Sequence, residues 1–171
     1  LTREYLVEPS ERPSVEAFAR DLYHARYREL GWDAGPGEGG ERKLLRRSVI
    51  HFLAFTGRDE QVRAEALRRG RIHLGLDPTE ADDSPHDPDL IDTALAVAVQ
   101  DGGPTVSDAV LARLATERDA LERSRILRAL GAAKTPALST RARALALAPE
   151  LRVNEMLLTL QTQSNDVDTR V

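Results

Sequence analysis

Four histidines, His24, His51, His73 and His86, are the side chains best suited to hold a metal or move a proton near neutral pH. None is paired as H-x-x-x-H, and none carries a neighbouring carboxylate in the H-E-x-x-H manner that helical zinc hydrolases use. Three fall one to a predicted helix and His86 falls in a loop, so their spacing assigns no metal site. No G-x-S-x-G elbow marks a nucleophilic serine. The chain has no cysteine, which removes disulfides and thiol chemistry without fixing the compartment. Asp82, Asp83, Asp87 and Asp89 crowd one segment, but prolines interrupt it and it lacks the rhythm of a calcium loop; it reads as a solvated acidic loop. Gly35, Gly37 and Gly40 match G-x-G-x-x-G. A helix and Trp32 precede them where a strand is required, and Pro36 and Glu38 stand where phosphate needs free N–H groups, so the run reads as a connector.

Arginine is what remains. Arg42, Lys43, Arg46 and Arg47 form one cluster; Arg63, Arg68, Arg69 and Arg71 form another. The plain reading is a solvated face supported by Glu60 and Glu65. The sharper one has some of them line a concave surface and meet a carboxylate, a task that suits the planar guanidinium.

The elements that would carry these groups are helices. Ala, Leu, Arg and Glu dominate, aromatics are scarce and β-branched runs are missing. A lead-in of residues 1–12 precedes a helix over 14–30, capped by Ser14, with Val15, Phe18, Leu22, Tyr23 and Tyr27 at helical spacing. Gly31 stops it, and Trp32 plugs the end. After the 31–40 loop, helices are predicted over 41–56 and 60–74, the second capped by Asp59 and joined to the first by a tight turn. The acidic 75–87 loop follows. Further helices span 89–100, with Asp87 and Pro88 opening it, and 106–116, after a turn at Asp101-Gly102-Gly103-Pro104.

The stretch 119–163 supplies three more. Asp119 and Glu122 form a capping box, Leu121, Ile126, Leu127 and Leu130 share a face, and Gly131 is a left-handed stop. Thr135-Pro136 starts the next helix and Pro149 the third, which carries Leu151, Leu157, Leu158 and Leu160. Starts near Asp89, Asp119 and Pro149 recur at roughly 30 residues, a helical-repeat period. The pattern repeats and no residue signature does. Short helices cannot each bury a face alone, so they must stack. The expectation is an all-α, HEAT-like α-solenoid of antiparallel helix pairs: one helical domain over 1–171, a fragment of a larger enzyme, truncated at both ends.

The net charge of −4 weighs against a nucleic-acid partner. No apolar run is long enough to span a bilayer. No signal peptide is visible, so the compartment stays open between cytoplasmic and periplasmic or secreted.

Several stretches together resemble the C-terminal helical domain of aminopeptidase N-type zinc metallopeptidases, in the puromycin-sensitive and endoplasmic-reticulum aminopeptidase subgroup. They are Leu30-Gly31-Trp32, the 35–40 connector, Leu44-Leu45-Arg46, Gly57-Arg58-Asp59, Val62 to Ala66, and Ala94 to Gly102. The run from Glu122 to Gly131 matches the family's E-[KR]-x-R-x-L-x-A-L-[GA], and Arg152-Val153-Asn154-Glu155 matches its R-x-[NQ]-[DE] helix. The resemblance covers about residues 20–171, and the order of the motifs carries it.

It implies a non-catalytic domain that closes over an active site housed elsewhere and forms part of the peptide-substrate cavity. Arg152, Asn154 and Glu155 are then cavity candidates. The zinc belongs to the parent's catalytic domain, and this chain supplies neither a metal ligand nor a catalytic residue. The implied partners are that catalytic domain and peptide substrates. Residue by residue, Arg152 and Glu155 also read as an ordinary helix-surface pair. The alternative function is a HEAT-like scaffold that binds a partner protein through its concave face. A self-contained helical hydrolase has the least support, since neither nucleophile nor metal set is visible.

Overall fold

The computed structural model describes residues 7–77, 87–149 and 151–164. Among them are eight α-helices and no strand: α1 (Arg12–Leu30), α2 (Gly40–Phe55), α3 (Glu60–His73), α4 (Ile91–Asp101), α5 (Gly103–Thr116), α6 (Ala120–Gly131), α7 (Pro136–Ala146) and α8 (Met156–Ser164). The fold is all-α and solenoid-like. Helices α4, α6 and α8 form a parallel row. Asp92 and Gln100 of α4 reach Arg125 and Ala132 along α6, and Arg123 and Leu127 of α6 reach Glu155 and Thr159 along α8. Helices α5 and α7 are the returns, each packed on the two row helices it joins. On the N-terminal side α3 lies antiparallel along α4, with Arg63 at Asp101 and Gly70 against Ala94. Helix α2 packs on α3, and α1 on α2.

The core has two clusters. One gathers Leu95, Val106, Val110, Ile126, Leu127 and Leu130; the other gathers Trp32, Ile50, Leu53, Val62, Leu90 and Val97. Leu67 of α3 packs against both and joins them. Burying a Leu or Ile of this kind contributes roughly 1.5–3 kcal/mol, so the row is held chiefly by its own apolar seam.

The start signals at Asp59 and Asp119 act as expected: Asp59 Oδ1 accepts from Val62 N at 3.0 Å and Asp119 Oδ1 from Glu122 N at 2.8 Å. The box at Asp119 is only half formed. Its own N–H donates to Glu117 Oε1, while the Glu122 carboxylate turns to His73 and Arg125.

Other expectations are corrected. Helix α1 starts at Arg12, with Pro13 in its first turn, so Ser14 is inside it and caps nothing. Phe18 and Leu22 of its predicted inner face are 67% and 57% exposed; one packed neighbour, α2, cannot cover a face that wide. Leu121 is exposed too. The turn before α5 shrinks to Gly102, because Pro104 fits inside the first helical turn. The helix expected from Pro149 begins at Met156, after a turn through 151–155. Gly131 is not a left-handed stop, since α6 ends at Ala132 in ordinary right-handed geometry. Its reason is contact: a Cβ there would lie 2.5 Å from Thr159 O, so only glycine lets α8 come this close. Gly31, by contrast, takes φ +60° and does end its helix.

Candidate functional site

The arginines predicted as a solvated face divide sharply. Arg47 is exposed, whereas Arg46, Arg63 and Arg69 are buried, and Arg123 of α6, outside the two predicted clusters, is buried as well. Each buried guanidinium meets a carboxylate, as a planar fork must when it leaves water.

Arg63 and Arg123 do so in the same way. Arg63 Nε and Nη2 grip Asp101 at 2.9 and 2.6 Å, and Nη1 donates to Ala54 O at 2.9 Å. Arg123 Nε and Nη2 grip Glu155 at 2.7 and 2.8 Å, and Nη1 donates to Leu114 O at 3.0 Å. Both carbonyls lie at the C-terminal end of the preceding helix, where intrahelical donors run out. Each arginine therefore satisfies a helix end and fixes a third element at once.

Arg46 works similarly on the 31–40 connector. It donates to Leu30 O at 3.2 Å and grips Glu38, and this contact holds the Glu38 carboxyl below its usual range. The connector is thus pinned at Glu38. Trp32 is the plug expected: it is buried, donates from Nε1 to the Tyr27 hydroxyl at 3.1 Å, and carries the Arg69 guanidinium 5.1 Å from its ring. Arg69 also takes Asp33 at 2.8 and 2.9 Å and Glu65 at 2.7 Å.

The three cavity candidates sit together in the turn before α8. Arg152 and Asn154 are exposed. Glu155 is 2% exposed and lies beneath them, clamped by Arg123 and accepting from Arg152 N at 3.0 Å. Those hydrogen bonds, Arg123 first, hold its carboxyl down to about 2. The Arg152 side chain lies 3.8 Å from Glu155, but the pair precedes the helix instead of lying on its surface. Val153, between the two exposed polar residues, is 86% exposed.

The clefts among the described residues include two open ones. One of about 530 Å³ lies between α1 and the α2–α3 turn, with Arg20, His24, Asp59 and Gln61 among its walls. There Arg20 donates to Gly57 O, and His24 Nδ1 is 3.3 Å from Asp59 Oδ2, the oxygen not used in capping α3. The other, about 270 Å³, lies between the start of α5 and the start of α7, edged by the Asp108–Arg141 pair at 3.0 Å. His73 bonds Glu122 at 2.5 Å, and the His51 ring lies tilted against Phe55 with centroids 4.7 Å apart.

His24, His51 and His73 thus make separate contacts. Among the described residues no group of three His, Asp or Glu side chains is placed to hold a metal ion. Asp82, Asp83 and His86 lie outside the described residues. Asp77 pairs with Arg71. No described helix is long and apolar enough to cross a membrane.

Sequence reasoning missed Glu38 and Asp101 as partners and did not separate the buried Arg63 and Arg69 from the half-buried Arg68 and Arg71. The available signal was an aspartate cap followed four residues later by arginine, present at both Asp59 and Asp119. The ERAP1-like C-terminal domain model matches residues 2–170, and this chain belongs to that family.

Proposed function

We propose that this chain is the non-catalytic, HEAT-like C-terminal domain of a zinc-dependent aminopeptidase, closing over an active site in a neighbouring module and forming part of the peptide cavity. The family match over residues 2–170 is the observation that carries this reading. The zinc, and the activated water it supplies when bound, belong to that neighbouring module. This chain contributes walls. A stack fixed by buried seams and arginine clamps is stiff enough to swing as one body, which is what gating of access and product release requires. Arg152 and Asn154 are proposed as cavity-lining groups, where an exposed guanidinium and amide hydrogen-bond the backbone of an extended peptide. Glu155 is proposed to serve the same cavity from below, holding their turn in place.

The test uses the full-length parent. Its reading frame should encode H-E-x-x-H followed by a distant Glu. Deleting this segment should abolish turnover of long peptides or leave the protein insoluble. Unaltered turnover of both long and short peptides would refute the gating role.

A further inference from the structure

The two matching arginine clamps stand sixty residues apart, at Arg63 and Arg123, and so do their aspartate caps, at Asp59 and Asp119. Laid over each other at that offset, 56–68 and 116–128 are identical at six of thirteen positions: Thr56, Arg58, Asp59, Arg63, Leu67 and Arg68 recur as Thr116, Arg118, Asp119, Arg123, Leu127 and Arg128. The structure repeats with the sequence. In both copies the aspartate Oδ1 accepts from the N–H three residues on, Nη1 reaches the carbonyl nine residues back, and Nε with Nη2 takes a carboxylate from a later element. Sixty residues is two of the roughly 30-residue periods set by the helix starts.

We infer that T-x-R-D-x-x-x-R is a duplicated joint module, and that its two copies are the joints at which this solenoid is fixed. Each copy ties three helix ends. The first binds the end of α2, the start of α3 and the end of α4. The second binds the end of α5, the start of α6 and the turn before α8, passing over α7 to do so. The second copy is therefore the positioning device for residues 151–155, and that part rests on the cavity reading given above. The duplication and the joint role do not.

Hydrogen exchange on the full-length protein tests this. Arg123→Met should speed exchange across 113–124 and 151–160 by on the order of tenfold or more, and leave 60–66 and 97–103 within about twofold. Arg63→Met should give the mirror image. Arg123→Lys, which keeps the charge and loses the fork, should fall between wild type and Arg123→Met. If a methionine variant does not fold, Glu155→Gln and Asp101→Asn read the same two joints. Loosening spread evenly over both joints, or no change at 151–160 on breaking the second clamp, would overturn the inference. Either result would leave the gating role standing, because that is read by peptide turnover.

Discussion

The joint at Arg63 and the joint at Arg123 use the same atoms in different surroundings. Asp101, the first acceptor, is 33% exposed, and Gln100 shares its arginine at 3.0 Å. Glu155, the second, is 2% exposed and is met by Arg123 and by the Arg152 turn. The first clamp closes α3 on its immediate neighbour in the chain. The second skips a helix and closes the row. One motif can thus give a solvent-tolerant fastening at one place and a dry one at another. The difference lies in what the carboxylate loses if its arginine is removed: Asp101 can be rehydrated and Glu155 cannot.

The sharpest way to break the comparison is to remove each arginine. Arg123→Met strands a buried carboxylate and should cost about 3–5 kcal/mol, whereas Arg63→Met should cost clearly less. Urea denaturation of both variants measures this, and equal losses would erase the distinction.

Acid titration comes next. The Glu155 carboxyl is held at about 2 against an ordinary 4.5. A depressed folded-state value means that its stabilisation is fully present above about 4.5 and is lost as pH falls toward about 2. Over that window the wild type should lose roughly 2–3 kcal/mol that Glu155→Gln, already weakened at neutral pH, does not lose again. Parallel stability curves for the two proteins would count against it.

Helix contact gives a smaller effect. Gly131→Ala pushes a methyl group into the Thr159 carbonyl and should cost about 1–3 kcal/mol, while α3 and α4 are left as they were. Thermal midpoints with exchange mapping of α8 would measure that. The smallest is at the caps. Asp119→Ala should cost about 1 kcal/mol, and Asp59→Ala somewhat more, because buried Asp59 also serves His24.

Much of the helical layout was legible because its signals are local. An aspartate cap needs only the N–H three residues on, as at Asp59 and Asp119, and a proline in a first turn needs no partner. Boundaries failed where a distant contact decides. The turn through 151–155 stays out of α8 because Glu155 is drawn down to Arg123, thirty-two residues back. Gly131 was misread because a glycine that stops a helix and a glycine that admits another helix look alike in a single chain. Phe18 and Leu22 lie on a helical stripe, but periodicity does not say whether anything packs against it. For the candidate site, Arg152, Asn154 and Glu155 were found by resemblance. That Glu155 is buried and the other two exposed was not legible, since its arginine is remote in sequence.

The most direct test of the account is the dependence of turnover on peptide length in the full-length protein carrying Arg123→Lys. If the second joint sets the cavity wall, kcat/KM for peptides long enough to reach residues 151–155 should fall by on the order of tenfold, and single-residue aminoacyl-arylamides should stay within about twofold. An unchanged length profile, or an equal loss on both substrate types, would contradict it.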